Sequence, residues 1–188
     1  MSDYRDPQMD TDERVRDLLD RMTLEEMIFQ TDQYSSGEFT VCGMIGGISR
    51  TVTVDRDKLI RMLGSNSVGS IQVHRMTPEQ VNELQRYAVE KTRLGIPFLF
   101  SEEALHGLNN PDATCFPQQI GLAATFDPAL GRAMGRAIGT ESRALGIHET
   151  FSPVMDLIRD PRYGRTEESY GEDTLLCAEF ARETVIGL

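Results

Sequence analysis

Val15, Leu18, Leu19 and Met22 fall on one face of residues 12–22, the spacing of an amphipathic helix. The next residues, "TLEE", place Glu26 three positions after Thr23, a capping-box start for a second short helix. From Tyr34 to about Thr53 the periodicity gives way to Gly, Ser and Thr, which predicts a loop with room for one short strand. Past Asp57, "KLIRMLG" predicts one or two helical turns closing at Gly64, and "VGSIQV" (68–73) a short strand. The strongest helix signal is "TPEQVNELQRYAVEKTRLG" (77–95): Thr77 caps it, Pro78 opens it, Gln80 completes the box and Gly95 ends it. "IPFLF" (96–100) follows as a strand apolar on both faces.

A second long helix is predicted over 127–146, between an Asp-Pro cap and Gly146. Gly131, Gly135 and Gly139 recur every four residues on one face of it. Each glycine costs about 1 kcal/mol against alanine in a helix, so the stripe predicts close approach to a neighbouring element. Arg132, Arg136 and Arg143 interrupt the segment and exclude a membrane reading of the same spacing. "HETFSPVMDLI" (148–158) predicts a third strand, "RDPRYGRTEESYGED" a polar loop, and "TLLCAEFARETVIGL" a final helix. Strand and helix alternate, which predicts right-handed βαβ units, a parallel sheet and one α/β domain that reads as incomplete.

Composition narrows the function classes. A formal net charge of −11 with no basic block argues against nucleic acid or anionic lipid as a partner. No stretch approaches a membrane span, and the polar opening "MSDYRDPQMDTDERV" has no apolar signal region, so a cytoplasmic location is expected. Cys42, Cys115 and Cys177 are odd in number and widely spaced, which argues against a disulfide framework or a zinc knuckle and predicts small packed thiols.

Candidate chemistry sits at strand ends, where parallel α/β folds place ligands. Glu102, Glu103 and His106 follow "IPFLF"; Asp156, Arg159, Asp160, Arg162 and Arg165 follow "FSPV". Acids and arginines converging from successive strands suit a hydroxyl-rich ligand, since carboxylates accept and guanidinium groups donate paired hydrogen bonds. Blander readings stand beside this one: Glu102 as a solvated loop acid, His106 as a core histidine tied to backbone, and "RDPRYGR" as a loop stapled by Arg–Asp pairs. Glu103 and His106 have a Glu-x-x-His spacing, but no second copy exists, so no metal is expected. Neither a glycine-rich phosphate loop nor a Gly-x-Ser-x-Gly elbow occurs, and no cofactor is expected.

The segments "RMTLEEMIFQ", "TRLGIPFLFSEEALHG", "TCFPQQIGLAATFDPAL", "ESRALGIHETFSPVMDLIRDPRYGR" and "EESYGED" together resemble the N-terminal part of glycoside hydrolase family 3, the β-glucosidase and β-xylosidase family. The resemblance is collinear from about Val15 onward. It implies a partial TIM-like (β/α)8 barrel, about its first three β/α units, with residues 1–188 forming an incomplete portion of the barrel domain; a full barrel has eight strands and ~250 residues. It implies hydrolysis of terminal non-reducing β-D-glucosyl or β-D-xylosyl residues of a β-linked glycoside or oligosaccharide, with retention and two carboxyls about 5 Å apart. It also implies that Glu103, the acid of the family's D/E-A-x-H-G motif, and Arg165, the last arginine of R-D-P-R-W-G-R, bind the sugar. The nucleophilic Asp and the acid/base Glu are expected beyond Leu188, so no residue of the chain is expected to be catalytic. Tyr163 stands where the family usually has Trp, and Glu103 where it often has Asp. A non-catalytic sugar-binding or half-barrel assembly module is the alternative, and the oligomeric state is open.

Overall fold

The computed structural model describes residues 3–45 and 48–188. Helix α1 (Thr11–Arg21) is capped by Asp10, whose carboxylate accepts from the N–H groups of Asp12 and Glu13 at 3.0 and 3.3 Å. Its predicted apolar face is only partly covered: Leu18 and Met22 are half-buried, whereas Val15 is 49% and Leu19 46% exposed. Helix α2 (Leu24–Gln30) starts on the Thr23–Glu26 capping box. The buried Glu26 also receives the Arg93 guanidinium, with Nε to Oε1 at 2.7 Å, and Arg93 bonds the Arg21 carbonyl at 2.7 Å. Arg93 thus ties both N-terminal helices to the rest of the fold and holds the Glu26 carboxyl down to about 2.

Strand β1 (Gln33–Ser35) follows, then a 3₁₀ turn over Ser36–Glu38 and an antiparallel pair, β2 (Thr40–Ile45) with β3 (Ile48–Val54). The region expected to be mostly loop therefore holds three strands. β1 is short and polar and so carries little pattern of its own; "TVTV" at the end of β3 has the β-branched alternation that favours pairing. Helix α3 (Arg56–Leu63) ends at Gly64, β4 (Ser70–Gln72) lies within the predicted segment, and α4 (Pro78–Lys91) starts on the Thr77 box with Pro78. Strand β5 (Leu99–Glu102), helix α5 (Gln119–Ala123), helix α6 (Pro128–Ala144), strand β6 (Glu149–Thr150) and helix α7 (Thr174–Gly187) complete the order.

The strands β1-β4-β5-β6 form one parallel sheet in chain order, as in a sheet curling toward a barrel. β1 adds a fourth strand to the three that were anticipated. β6 is much shorter than the predicted 148–158. Phe151 still donates its N–H to the Glu102 carbonyl at 3.1 Å, but Pro153 has no N–H with which to continue a ladder. The core lies between sheet and helices: Ile71, Val73, Phe98 and Phe100 pack with Val81, Leu84 and Ala88 of α4 and Met134 and Ile138 of α6. On β5 the alternate position Leu99 is 44% exposed, so this strand is not apolar and buried on both sides.

The glycine stripe of α6 has the predicted cause. A Cβ on Gly135 would stand 2.4 Å from the Thr184 carbonyl oxygen, and one on Gly139 2.7 Å from that of Leu188. The contact is reciprocal, since a Cβ on Gly187 of α7 would meet the Arg132 carbonyl at 2.4 Å. Removing side chains lets the two helix backbones touch, and an Arg132–Glu183 ion pair flanks the contact. Replacing Gly135 by Ala should cost about 2–3 kcal/mol by overpacking against backbone that cannot rotate away. Gly121→Ala in α5, where the nearest atom outside the helix would be Pro117 Cβ at 3.8 Å, should stay within about 1 kcal/mol and tend to stabilise. Urea unfolding of the two variants side by side checks this; equal responses would remove close packing as the reason for the stripe.

Candidate functional site at the strand ends

Four parallel strands present their carboxyl ends along one edge, and the polar residues gather there. Beyond β1, the Ser36 hydroxyl accepts the His74 N–H at 2.9 Å, joining the first strand end to the second. Beyond β4 come His74 and Arg75. Arg75 has φ +54°, a left-handed conformation that costs a non-glycine residue about 1–2 kcal/mol. The residue after it, Met76, is buried, and its carbonyl accepts from Asn110 Nδ2 at 3.1 Å. The turn is therefore pinned on both sides of the strained residue.

Glu102 ends β5 and Glu103 follows it, and the two side chains meet different surroundings. Glu102 is 2% exposed. Its Oε1 accepts the Glu103 N–H at 2.8 Å and lies 3.5 Å from His74 Nδ1. The same carboxyl accepts the Arg75 backbone N–H and a side-chain bond from Asn109. Burial pushes its pKa up from 4.5 to about 7, helped by the Glu103 charge and opposed by the hydrogen bonds to Glu103, Arg75 and Asn109. The solvated-acid reading of Glu102 does not hold.

Glu103 instead lines an open cleft of about 420 Å³ together with Arg75, His106, Asn109, Thr114 and Cys115. The wall of the cleft is the β5–α5 connection, which folds back on itself: Asn109 N–H donates to the Glu103 carbonyl at 2.8 Å and Phe116 N–H to the His106 carbonyl at 2.7 Å. Gly107 makes this return possible, at φ +121°, where a Cβ would lie 2.1 Å from the Thr114 carbonyl oxygen. His106 Nδ1 sits 3.2 Å from the Phe116 carbonyl and 3.5 Å from Cys115 Sγ, the backbone-tied reading of this residue, although its ring is only half buried. Cys115 is exposed, contrary to the expectation of packed thiols, because the return carries it to the cleft surface; Cys177 is buried, and the side chain of Cys42 lies outside the described residues.

The second predicted cluster, after β6, divides. Asp160 and Arg162 pair with each other at 2.5 Å on an exposed surface, the internal staple. Asp156 and Arg159 are exposed. Arg165 pairs with Glu168 at 2.5 Å, and its guanidinium pKa is raised first by that contact and also, through space, by the charge of Glu103. Glu103 and Arg165 thus come within electrostatic range of one another from two separate loops. Sequence reasoning missed Ser36, His74 and Arg75. The last two directly follow the strand segment "SIQV", the same strand-end position that drew attention to Glu102 and Glu103.

Residues 23–188 match the model of the glycosyl hydrolase family 3 N terminal domain. The chain belongs to this family. It is 32% identical over 192 residues to β-glucosidase C of Emericella nidulans, covering 98% of this chain and 30% of the relative. To a β-xylosidase of Formosa agariphila it is 39% identical over 116 residues, 58% of this chain and 16% of the relative. The β-glucosidase of Listeria innocua in complex with glucose superposes with a TM-score of 0.75 at 32% identity, over 95% of this chain and 24% of that one. The family's first domain is a TIM-like α/β barrel, and the four-stranded parallel sheet is a part of such a barrel. The chain spans less than a third of the length of the curated relatives it matches.

The buried Glu102 makes stability depend on pH in a defined window. Its folded pKa is raised above the unfolded value, so between about 4.5 and 7 the folded state holds a proton that the unfolded state has lost. Stability falls as pH rises through that window, by about 3 kcal/mol in all. The Glu26 carboxyl, held at about 2, acts in a separate window, its contribution being lost only as pH falls below about 4.5. Urea titrations at pH 4.5 and 8 should show Glu102→Gln flat across the interval where the parent loses stability. A parent and variant with parallel profiles would mean that Glu102 is ionised in the fold without cost.

Proposed function

We propose that this chain is the N-terminal portion of the barrel domain of a retaining β-glycosidase, and that the whole protein hydrolyses terminal non-reducing β-D-glucosyl or β-D-xylosyl residues. Glu103 and Arg165 bind hydroxyls of the sugar, and the nucleophile and acid/base belong to chain beyond these 188 residues, so the chain alone binds without turning over. The observation that carries the reading is the open cleft at the strand carboxyl ends, lined by Glu103 and lying within the electrostatic reach of Arg165. Family membership and the glucose bound to the Listeria innocua β-glucosidase support a sugar as the ligand. Carboxylate and guanidinium from different loops can take adjacent hydroxyls from two directions, which fixes the orientation of a pyranose as well as its presence.

Among the described residues no helix is long and apolar enough to cross a membrane. The acidic net charge of −11 supports a small glycoside rather than nucleic acid or anionic lipid as the partner. The odd number and wide spacing of Cys42, Cys115 and Cys177 support a reducing, cytoplasmic compartment.

In the protein that carries this chain, Glu103→Ala should lower kcat/KM on an aryl β-D-glucoside or β-D-xyloside at least a hundredfold. Loss of charged hydrogen bonds worth about 3 kcal/mol at the transition state sets that scale. A variant with near-parental kcat/KM on both substrates would remove Glu103 from the sugar site. Labelling of the parent by a 2-fluoro glycoside, read as one glycosyl unit in the intact mass, checks the retaining mechanism independently.

A further inference from the structure

Arg75 belongs to no motif identified in the sequence, yet the structure spends strain to place it. It stands alone in the left-handed region between a strand and a capped helix, with φ +54°. The backbone on either side is anchored, through the His74 N–H on Ser36 and the Met76 carbonyl on Asn110. Its own N–H is held by the carboxyl of Glu102, which also holds the N–H of Glu103. One buried side chain therefore sets the backbone of two residues that line the same cleft. Among the described residues the Arg75 guanidinium makes no ion pair, whereas Arg162 and Arg165 beyond β6 each have a carboxylate partner. A guanidinium without an ion pair, on the lining of an open cleft that also holds a carboxylate, can donate to a ligand that the carboxylate grips.

We infer that Arg75 is a further sugar contact and that Glu102 is the positioning residue that aims Arg75 and Glu103 into one cleft. The inference rests on the sugar-binding reading above and extends it from two contacts to three, with the third supplied by the β4 end. Glu102 touches no ligand; it acts through the backbone of its neighbours. The charged and titratable groups around its carboxyl are His74 and Arg75 beyond the end of β4 and Glu103 beyond its own strand, while Asn109 brings no charge. Its protonation state sets how firmly the two N–H groups are held, so the cleft geometry varies with pH near neutrality.

The 188-residue chain, its Arg75→Gly, Glu102→Gln and Glu103→Ala variants, and methyl β-D-glucopyranoside and methyl β-D-xylopyranoside as probes test this by NMR titration between pH 5 and 8.5, with thermal melts alongside. Glycine adopts φ +54° without strain, so Arg75→Gly should melt at or above the parental temperature and still bind at least one of the sugars about tenfold more weakly. The affinity of the parent should change with a step near pH 7 that disappears in Glu102→Gln, and amide exchange at Arg75 and Glu103 should accelerate in that variant. If the parent binds a sugar, Glu103→Ala abolishes binding and Arg75→Gly binds like the parent, the Arg75 contact is overturned while the sugar-binding reading stands. If Arg75→Gly behaves as expected but Glu102→Gln keeps both the pH step and slow exchange, the positioning role is overturned. A parent that binds neither sugar overturns the sugar-binding reading and the Arg75 contact with it, and amide exchange alone then decides the role of Glu102.

Discussion

Parallel pairing of β1, β4, β5 and β6 is the constraint from which the rest follows. Parallel neighbours cannot be joined by a tight turn, so each link needs a crossover, and the crossovers carry the helices that cover one face of the sheet. All four chains also leave the sheet at the same edge. Backbone N–H groups just past the strand ends have lost their ladder partners and must find others. Here they find side chains: Ser36 for His74, and Glu102 for Glu103 and Arg75. The polar character of this edge is thus required by the backbone before any ligand is considered, and the cleft is built on what that requirement leaves over.

The adjacent acids Glu102 and Glu103 show how one strand end serves both needs. Glu102 is the last residue of β5 and Glu103 the first beyond it, and this pair of identical residues meets two environments. One carboxyl is enclosed, raised in pKa and engaged with the backbone. The other stands in the cleft with acceptor capacity to spare. Burying the first is costly, and the cost is offset by the order it imposes on two neighbouring loops. The glycine contact between α6 and α7 follows the same logic in an apolar setting: helix propensity is given up at Gly135 and Gly139 so that two backbones can approach.

Much of this was legible in the residues. The caps at Thr23 and Thr77, the helix starts at Pro78 and Pro128, the cores of β4 and β5, the reason for the glycine stripe and the placing of Glu103 at a strand end all depend on neighbours a few positions away, and local patterns encode such neighbours directly. Family resemblance carried the barrel architecture, since long collinear motifs such as "FLFSEEALHG" hold information that no single element does.

Other features were decided only by the tertiary structure. β1 is a strand because β4 lies beside it; its three polar residues would not declare it alone. β6 stops after two residues where Pro153 offers no donor to the ladder. Val15 and Leu19 belong to the predicted stripe yet stay about half exposed, while Leu18 and Met22 of the same stripe are half-buried. Whether Glu102 is solvated or enclosed, whether Arg75 and Glu103 line one cleft, and where Cys115 ends up depend on loops from different strands meeting at one edge. Periodicity and capping are short-range properties of a chain, whereas burial, protonation and the company a side chain keeps are set by residues tens of positions away.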